Sequence, residues 1–211
     1  MKLEQPYLRW IELENKQYPS RQYPFNLEAV RHLDKLTFHP NVTYIVGENG
    51  MGKSTLMEAI AVAWGFNPEG GTKNFTFSTR SSNSNLHEYI RLVRGVQTPR
   101  DGFFFRVESY YNLATNIDDL DNEYSTGPPV IHSYGGKSLH EQSHGESFFA
   151  TFIHRFGGKG LYVLDEPEAA LSPIRQMAML SRIHELVEES SQFIIATHSP
   201  RWPIPTRPSI I

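Results

Sequence analysis

The run VGENGMGKST (46–55) places Gly47, Gly50 and Gly52 close together and follows them at once with Lys53, Ser54 and Thr55. Residues without side chains let backbone N–H groups converge on an anion, and a helix that starts there adds its dipole. The spacing Gly47-x-x-x-x-Gly52-Lys53-Ser54 is the phosphate-binding P-loop pattern. In that pattern the amides of Gly47, Glu48, Asn49, Gly50, Met51 and Gly52, with Lys53 and Thr55, hold the phosphates of a nucleotide. Lys53 reaches the β and γ phosphates, and the Ser54 hydroxyl takes Mg²⁺. A second chemical centre lies in LYVLDEP (161–167), where Asp165 and Glu166 emerge from four apolar residues. Two acids ending a buried segment are costly unless they face a cation or solvent. Asp165 suits an outer hold on Mg²⁺, and Glu166 suits polarising the water that attacks the γ-phosphorus. Downstream, FIIATHSP ends in Thr197-His198, which places His198 to sense the γ-phosphate.

These groups need rigid supports, and the hydrophobic pattern supplies them. VTYIV (42–46) reads as a short buried strand leading into the P-loop. Residues 53–64 carry apolar positions at helical spacing, with Gly65 as the stop. Strands are also expected at 7–15, 102–111, 160–167 and 192–200, and helices at 86–94, 146–156 and 173–189, the last with Pro173 in its first turn. The polar stretch 67–85 reads as a long loop holding a short strand at FTF (75–77), and acidic IDDLDNE (117–123) leads into the loop STGPPV. Strands alternating with helices predict an α/β fold with a mainly parallel sheet wrapped by helices on both faces.

The 211 residues suffice for one domain with a sizeable core, and 39% apolar with 20% charged residues is ordinary for a soluble globular chain. No apolar run approaches the roughly 18 residues of a membrane span, and MKLEQPYLRW lacks a signal-peptide core. The absence of cysteine excludes disulfides and thiolate metal sites, and a cytoplasmic location is expected. A net charge of −3 argues against a generally basic nucleic-acid binder. Five arginines between Arg80 and Arg106, set against Glu88 and Asp101, are read as a solvated face. His140 and His144 share the spacing of a metal-binding helix face, but nearby glycines favour a solvated or phosphate-facing loop.

Together GENGMGKST, LYVLDEPEAAL and ATHSP resemble the ATP-binding-cassette (ABC) ATPase superfamily. Within it the chain is similar to the soluble SMC-like and RecF-like branch, and most of all to small bacterial predicted AAA-type ATPases. The resemblance implies an ABC-type ATPase head over residues 1–200, with a Pro-rich tail at 201–211. It also implies a signature motif in QSHGES (142–147). There Ser143 and Gly145 match the Ser-Gly core, while His144 stands where glycine is usual and Glu146 where glutamine is usual. In the family this motif contacts the ATP held by the other subunit, closing a head-to-tail dimer around two nucleotides. Ser172 stands where the D-loop usually ends in aspartate. Gln97 and Glu108 are both candidates for the Mg²⁺-sensing position, and Tyr18, Tyr23 and Phe25 for the adenine platform. Asp165 follows Lys53 by only 112 positions, which leaves no room for an SMC-type coiled coil. Relatives continue past the ATHSP strand with a further helix and strand, and the three prolines of RWPIPTRPSII are expected to build neither.

The reading is Mg²⁺-dependent ATP binding and hydrolysis by a dimerising nucleotide switch, with a homodimer partner and a further protein or nucleic acid as possible targets. Its rivals are a non-hydrolysing ATP-binding regulatory module and a P-loop small-molecule kinase. The kinase has no use for a signature motif or for Glu166 as water activator.

Overall fold

A computed structural model describes residues 4–14, 18–73, 84–122, 127–198 and 209–210. Its centre is a sheet of parallel strands, β3 (Val42–Val46), β5 (Asp101–Arg106), β6 (Gly160–Asp165), β7 (Gln192–Thr197) and β8 (Ser209–Ile210), in the order β5-β6-β7-β3-β8. A smaller antiparallel sheet is built from β1 (Leu8–Leu13), β2 (Lys35–Thr37) and β4 (Ile90–Arg94), in the order β2-β1-β4.

The inner strands are apolar on both faces because both faces are covered. Phe103, Phe105, Tyr162, Leu164, Phe193 and Ile195 point to one side. There they meet α3 (Tyr110–Asn122), α4 (His144–Ala150) and α5 (Pro173–Glu188) through Leu113, Ile117, Phe148, Met179 and Ile183. Phe104, Leu161, Val163, Ile194 and Ala196 point to the other side, into a cluster with the short α1 (Glu28–Arg31), α2 (Lys53–Trp64) and the antiparallel sheet. Each such aliphatic side chain, fully buried, contributes about 1.5–3 kcal/mol.

The register decides what meets at the carboxyl edge. Val46 pairs with Thr197, Asp165 with Ala196, and Arg106 with Asp165. The segments following β3, β5, β6 and β7 therefore leave the sheet side by side, at the edge where open α/β sheets bind ligands.

Helix α2 runs from Lys53 to Trp64 and stops at Gly65, whose φ of 105° is left-handed, as expected. The expected helix at 86–94 does not form. A single 3₁₀ turn (Asn85–Glu88) precedes β4, whose Ile90 and Leu92 pair with Leu13 and Ile11 of β1. The apolar spacing there fits either element, and the antiparallel ladder with β1 decides it. The strand expected at 102–111 ends at Arg106, and Tyr110-Tyr111 instead begin α3, which takes in most of the acidic stretch. Within it, Asp121 accepts from the Val130 and Ile131 amides and Asp118 from the Ser138 hydroxyl, so these acids anchor the following turn. The expectation that the tail adds no strand is also corrected. Ser209 and Ile210, just past Pro208, pair in parallel with Thr43 and Tyr44. A proline excludes only its own N–H from a ladder, and an edge position past the last one is open. The FTF segment and residues 199–208 lie outside the described residues. No helix among the described residues is long and apolar enough to cross a membrane.

Candidate functional site

The loop between β3 and α2 has the conformation its glycines allow. Gly50 and Gly52 have φ of 82° and 97°, and a Cβ on Gly52 would stand 2.9 Å from that of Leu27. A side chain at Gly52 therefore fails twice, by backbone conformation and by space. Lys53 is only 5% exposed. Its Nζ donates to the carbonyls of Gly47 (2.8 Å) and Glu48 (2.9 Å) and lies 3.8 Å from Glu166. A cavity of about 400 Å³ opens here. It is lined by Asn49, Gly50, Gly52, Lys53, Ser54 and Thr55, together with Leu27, Glu108 and Glu166.

Asp165 ends β6 inside this site, 4% exposed, and accepts a 3.1 Å hydrogen bond from the Ser54 hydroxyl. Burial pushes its carboxyl up to about 6, against the Ser54 hydrogen bond and the Arg106 charge, with Glu166 and Glu108 adding to the rise. A carboxylate held at such a disadvantage is ready for a cation. The donor set fits Mg²⁺, since hydroxyl and carboxylate oxygens are the hard ligands it prefers. No group of three or more His, Cys, Asp or Glu residues among the described residues forms a metal cage of its own. Mg²⁺ that also binds substrate phosphates needs only one or two protein carboxylates.

Glu166 follows with φ of 47°, its N–H bonded to the Ala196 carbonyl at 3.0 Å. That left-handed turn directs the side chain towards the cavity, between Lys53 at 3.8 Å and His198 Nδ1 at 3.6 Å. Thus the predicted Lys53, Ser54, Asp165, Glu166 and His198 are brought together. Of the two Mg²⁺-sensing candidates, Glu108 lines the cavity, while Gln97 sits exposed in the turn between β4 and β5.

Glu58 and Glu168 had no role in the sequence reading, and Arg106, expected on a solvated face, has a side chain only 19% exposed. Arg106 donates to Glu58 at 2.5 Å and to Glu108 at 3.2 Å, pinning Glu108 beside the site. Glu58 lies one helical turn after Ser54 and also accepts from the Ser84 amide. Glu168, buried, accepts from the Thr197 hydroxyl and lies 3.7 Å from His198. A charge ending the apolar run FFFR and a third acid in DEPE were the available signals.

The signature segment lies elsewhere. Ser143 caps α4 in a capping box with Glu146: its hydroxyl donates to Glu146 Oε2 at 2.6 Å, as does its amide at 3.1 Å. Arg175 of α5 reaches Glu146 at 3.4 Å. A Cβ on Gly145 would stand 2.9 Å from the Ala170 carbonyl, so this segment packs closely against the turn after β6. Neither Ser143 nor Gly145 lines the P-loop cavity of its own chain. Ser172 caps the start of α5, and the Gln176 amide donates to its carbonyl. Among the adenine candidates, Phe25 is buried, stacked on Tyr18 and edge-on to Tyr89, while Tyr23 is 61% exposed. None of the three lines the cavity. His140 lies in a 3₁₀ turn (Leu139–Glu141), engaged by the Thr115 hydroxyl and the Tyr111 ring, while His144 opens α4, so the two do not share one helix face.

A glycine loop at the carboxyl edge of a parallel sheet, faced by an Asp-Glu pair, defines a P-loop nucleoside-triphosphate site. The AAA domain family (AAA_23) matches residues 21–130, just over half of the chain, and the chain belongs to that family. Its relatives are ABC-type ATP-binding proteins. The ribose import ATP-binding protein RbsA of Yersinia pestis is 25% identical over 189 residues, which cover 81% of this chain and 36% of RbsA. The chain thus spans about a third of the length of that relative. A putative ABC transporter ATP-binding protein of Methanothermobacter marburgensis is 26% identical over 205 residues, covering 90% of this chain and 71% of the other. Among solved structures, a putative ABC transporter ATP-binding protein from Pyrococcus furiosus is 17% identical, with a TM-score of 0.47 and 96% of both chains covered.

Proposed function

We propose that the chain binds ATP with Mg²⁺ at the P-loop and hydrolyses it to ADP and phosphate, as a nucleotide switch that closes head to tail with a second copy. The observation that carries this reading is a chain of contacts at the P-loop cavity: Lys53, Ser54 and Glu166 line it, Asp165 accepts from Ser54, and His198 lies 3.6 Å from Glu166, although Lys53 and Asp165 stand 112 positions apart in sequence.

Lys53 exchanges the Gly47 and Glu48 carbonyls for β and γ phosphate oxygens, while the loop amides hold the rest of the chain of phosphates. Ser54 and Asp165 would hold Mg²⁺, and Glu108, bound to Arg106 and lining the same cavity, would accept from water at that site. When bound, the metal neutralises charge on the β and γ phosphates. Glu166 orients the attacking water and draws its proton as the oxygen bonds to the γ-phosphorus and the bond to the bridging oxygen breaks. His198 donates to the γ-phosphate. Little covalent chemistry falls to the protein, and the rate comes from positioning and charge.

The placement of Ser143 and Gly145 outside their own chain's cavity supports their use by a partner copy. Phosphate release from ATP by the purified chain, with Mg²⁺ and after chelation by EDTA, tests the reading. Release that stops on chelation is expected. Tight ATP binding without release would replace hydrolysis with the regulatory-module reading, and transfer to an added small alcohol without free phosphate would favour the kinase.

A further inference from the structure

Glu168 is the one acid of the Asp-Glu-Pro-Glu turn that the proposed reaction leaves without a task. It is 5% exposed, at the junction of β6 and β7. Removing a carboxylate from water is costly unless donors or a cation face it. Here the Thr197 hydroxyl donates to Oε1, and His198 Nδ1 lies 3.7 Å from the same oxygen. Among the described residues Oε2 has no hydrogen-bond partner. The backbone beneath is fixed: the Glu168 carbonyl accepts from the Leu171 amide at 3.0 Å and from Gln176 Nε2 of α5 at 3.2 Å. The acid is therefore held on a rigid turn and aimed at the end of β7.

His198 is the less constrained partner. Its side chain is 46% exposed, and it follows the last residue of the strand. Its Nδ1 lies between two carboxylates, Glu166 at 3.6 Å and Glu168 at 3.7 Å. Glu166 also faces Lys53 at 3.8 Å. Lys53 faces Oε1 of Glu166 and His198 faces Oε2, so both oxygens of the residue that must accept from water have a neighbour. The buried acid offers His198 a second anchor, and the ring nitrogen that is anchored determines which nitrogen faces the substrate.

We infer that Glu168 is a positioning residue: it holds His198 through Nδ1, so that Nε2 faces the γ-phosphate and Glu166 stays available to the attacking water. This inference rests on the hydrolytic reading of the site. Thr197 orients the carboxylate, which links the end of β7 to the turn after β6 and ties the sensor to the strand that carries Asp165.

The test is a double-mutant cycle in the full chain with Glu168→Gln and His198→Gln, read as kcat and KM for ATP, together with the ¹⁵N signals of the His198 ring without nucleotide. Glutamine keeps the size of Glu168 and an oxygen for Thr197, but loses the charge that draws the His198 ring and replaces the second oxygen with an NH₂ donor. Glu168→Gln is expected to lower kcat about tenfold with KM within about twofold. The double variant should be no slower than His198→Gln alone, and in Glu168→Gln the ring signals should shift away from the Nδ1–H form expected in the parent. Penalties that multiply, or ring signals that do not change, would overturn the inference. If His198→Gln hydrolyses at the parent rate, the sensor reading fails instead, and the ring signals alone still decide the Glu168 contact. Should Glu168→Gln not fold, Glu168→Asp, which keeps the charge and shortens the reach, enters the same cycle with the same expected losses.

Discussion

The P-loop edge and the signature segment are built on opposite plans. At the first, backbone conformation does the work: Gly50, Gly52 and Glu166 are left-handed, Ser54 is already bonded to Asp165, and Lys53 is buried against its own loop. At the second, side chains do it: the Ser143 hydroxyl is engaged by Glu146, Glu146 by Arg175, and the group lies outside its own chain's cavity. One region is assembled within a single chain. The other turns outward, with the hydroxyl of Ser143, the proposed contact to a partner's nucleotide, held by the Glu146 carboxylate. The difference teaches that half of the proposed site is complete before any partner arrives, and the following experiments press on each half.

The largest effect belongs to Glu166→Gln, which keeps shape and removes the charge that handles water. Turnover should fall by roughly 10²-fold or more, with ATP affinity within a few-fold of the parent. The ATP-bound dimer should persist on a sizing column. Hydrolysis at the parent rate would remove Glu166 from the chemistry.

Asp165→Asn probes the same half through stability. In the folded chain the Asp165 carboxyl is pushed up from 3.8 to about 6, so between those values the native state holds a proton that the unfolded state has lost. Stability therefore falls as pH rises through that window, and the penalty is fully present above pH 6 and absent below the unfolded value. Its size is about 3 kcal/mol. Asparagine never carries the charge, so the variant should be more stable than the parent without nucleotide at pH 7.5, and the gain should vanish towards pH 4. Denaturant melts at both pH values measure it. A variant less stable than the parent at pH 7.5 would mean that Asp165 is not an uncompensated acid.

How much of this was legible follows from where each constraint is stored. Gly50, Gly52 and the ends of α2 at Lys53 and Trp64 obey local rules of backbone conformation and capping, and those rules are visible in sequence. Asp165, Glu166 and His198 were readable because they end apolar strands. The ladder that turns 90–94 into β4 depends on β1, some 80 residues away, and local spacing could not decide it. The same holds for Arg106 with Glu58 and for Glu168 with Thr197, contacts between elements that meet only after the sheet has formed. The tail was misread because proline counts were applied to the whole segment, whereas pairing at Ser209 and Ile210 needs only the residues past the last proline.

Lys53→Ala has a smaller expected effect, on binding itself. A charge-assisted contact contributes roughly 1.5–3 kcal/mol, so ATP should bind at least about tenfold more weakly. Calorimetric titration with ATP reads this directly. Unchanged affinity would place the nucleotide elsewhere.

The smallest signal is a partial recovery, and it tests the contrast between the two regions most directly. If the outward-facing segment completes the site of a second copy, each site takes Lys53 from one chain and Ser143 from the other. Lys53→Ala and Ser143→Arg should then each abolish hydrolysis alone. Mixed by co-expression, they form heterodimers in which one site carries both lesions and the other carries neither. Random pairing makes about half of the dimers mixed, each with one of two sites intact, so activity should return to at most about a quarter of the parent's. If the two sites must fire together, the recovery is lower still. Within a single-chain site every copy carries a lesion, and mixing restores nothing. Phosphate release from the mixture, compared with each variant alone, separates the two outcomes. Folded variants that pair and show no recovery would leave the P-loop edge as the whole site and the Ser143 cap as a structural feature of α4.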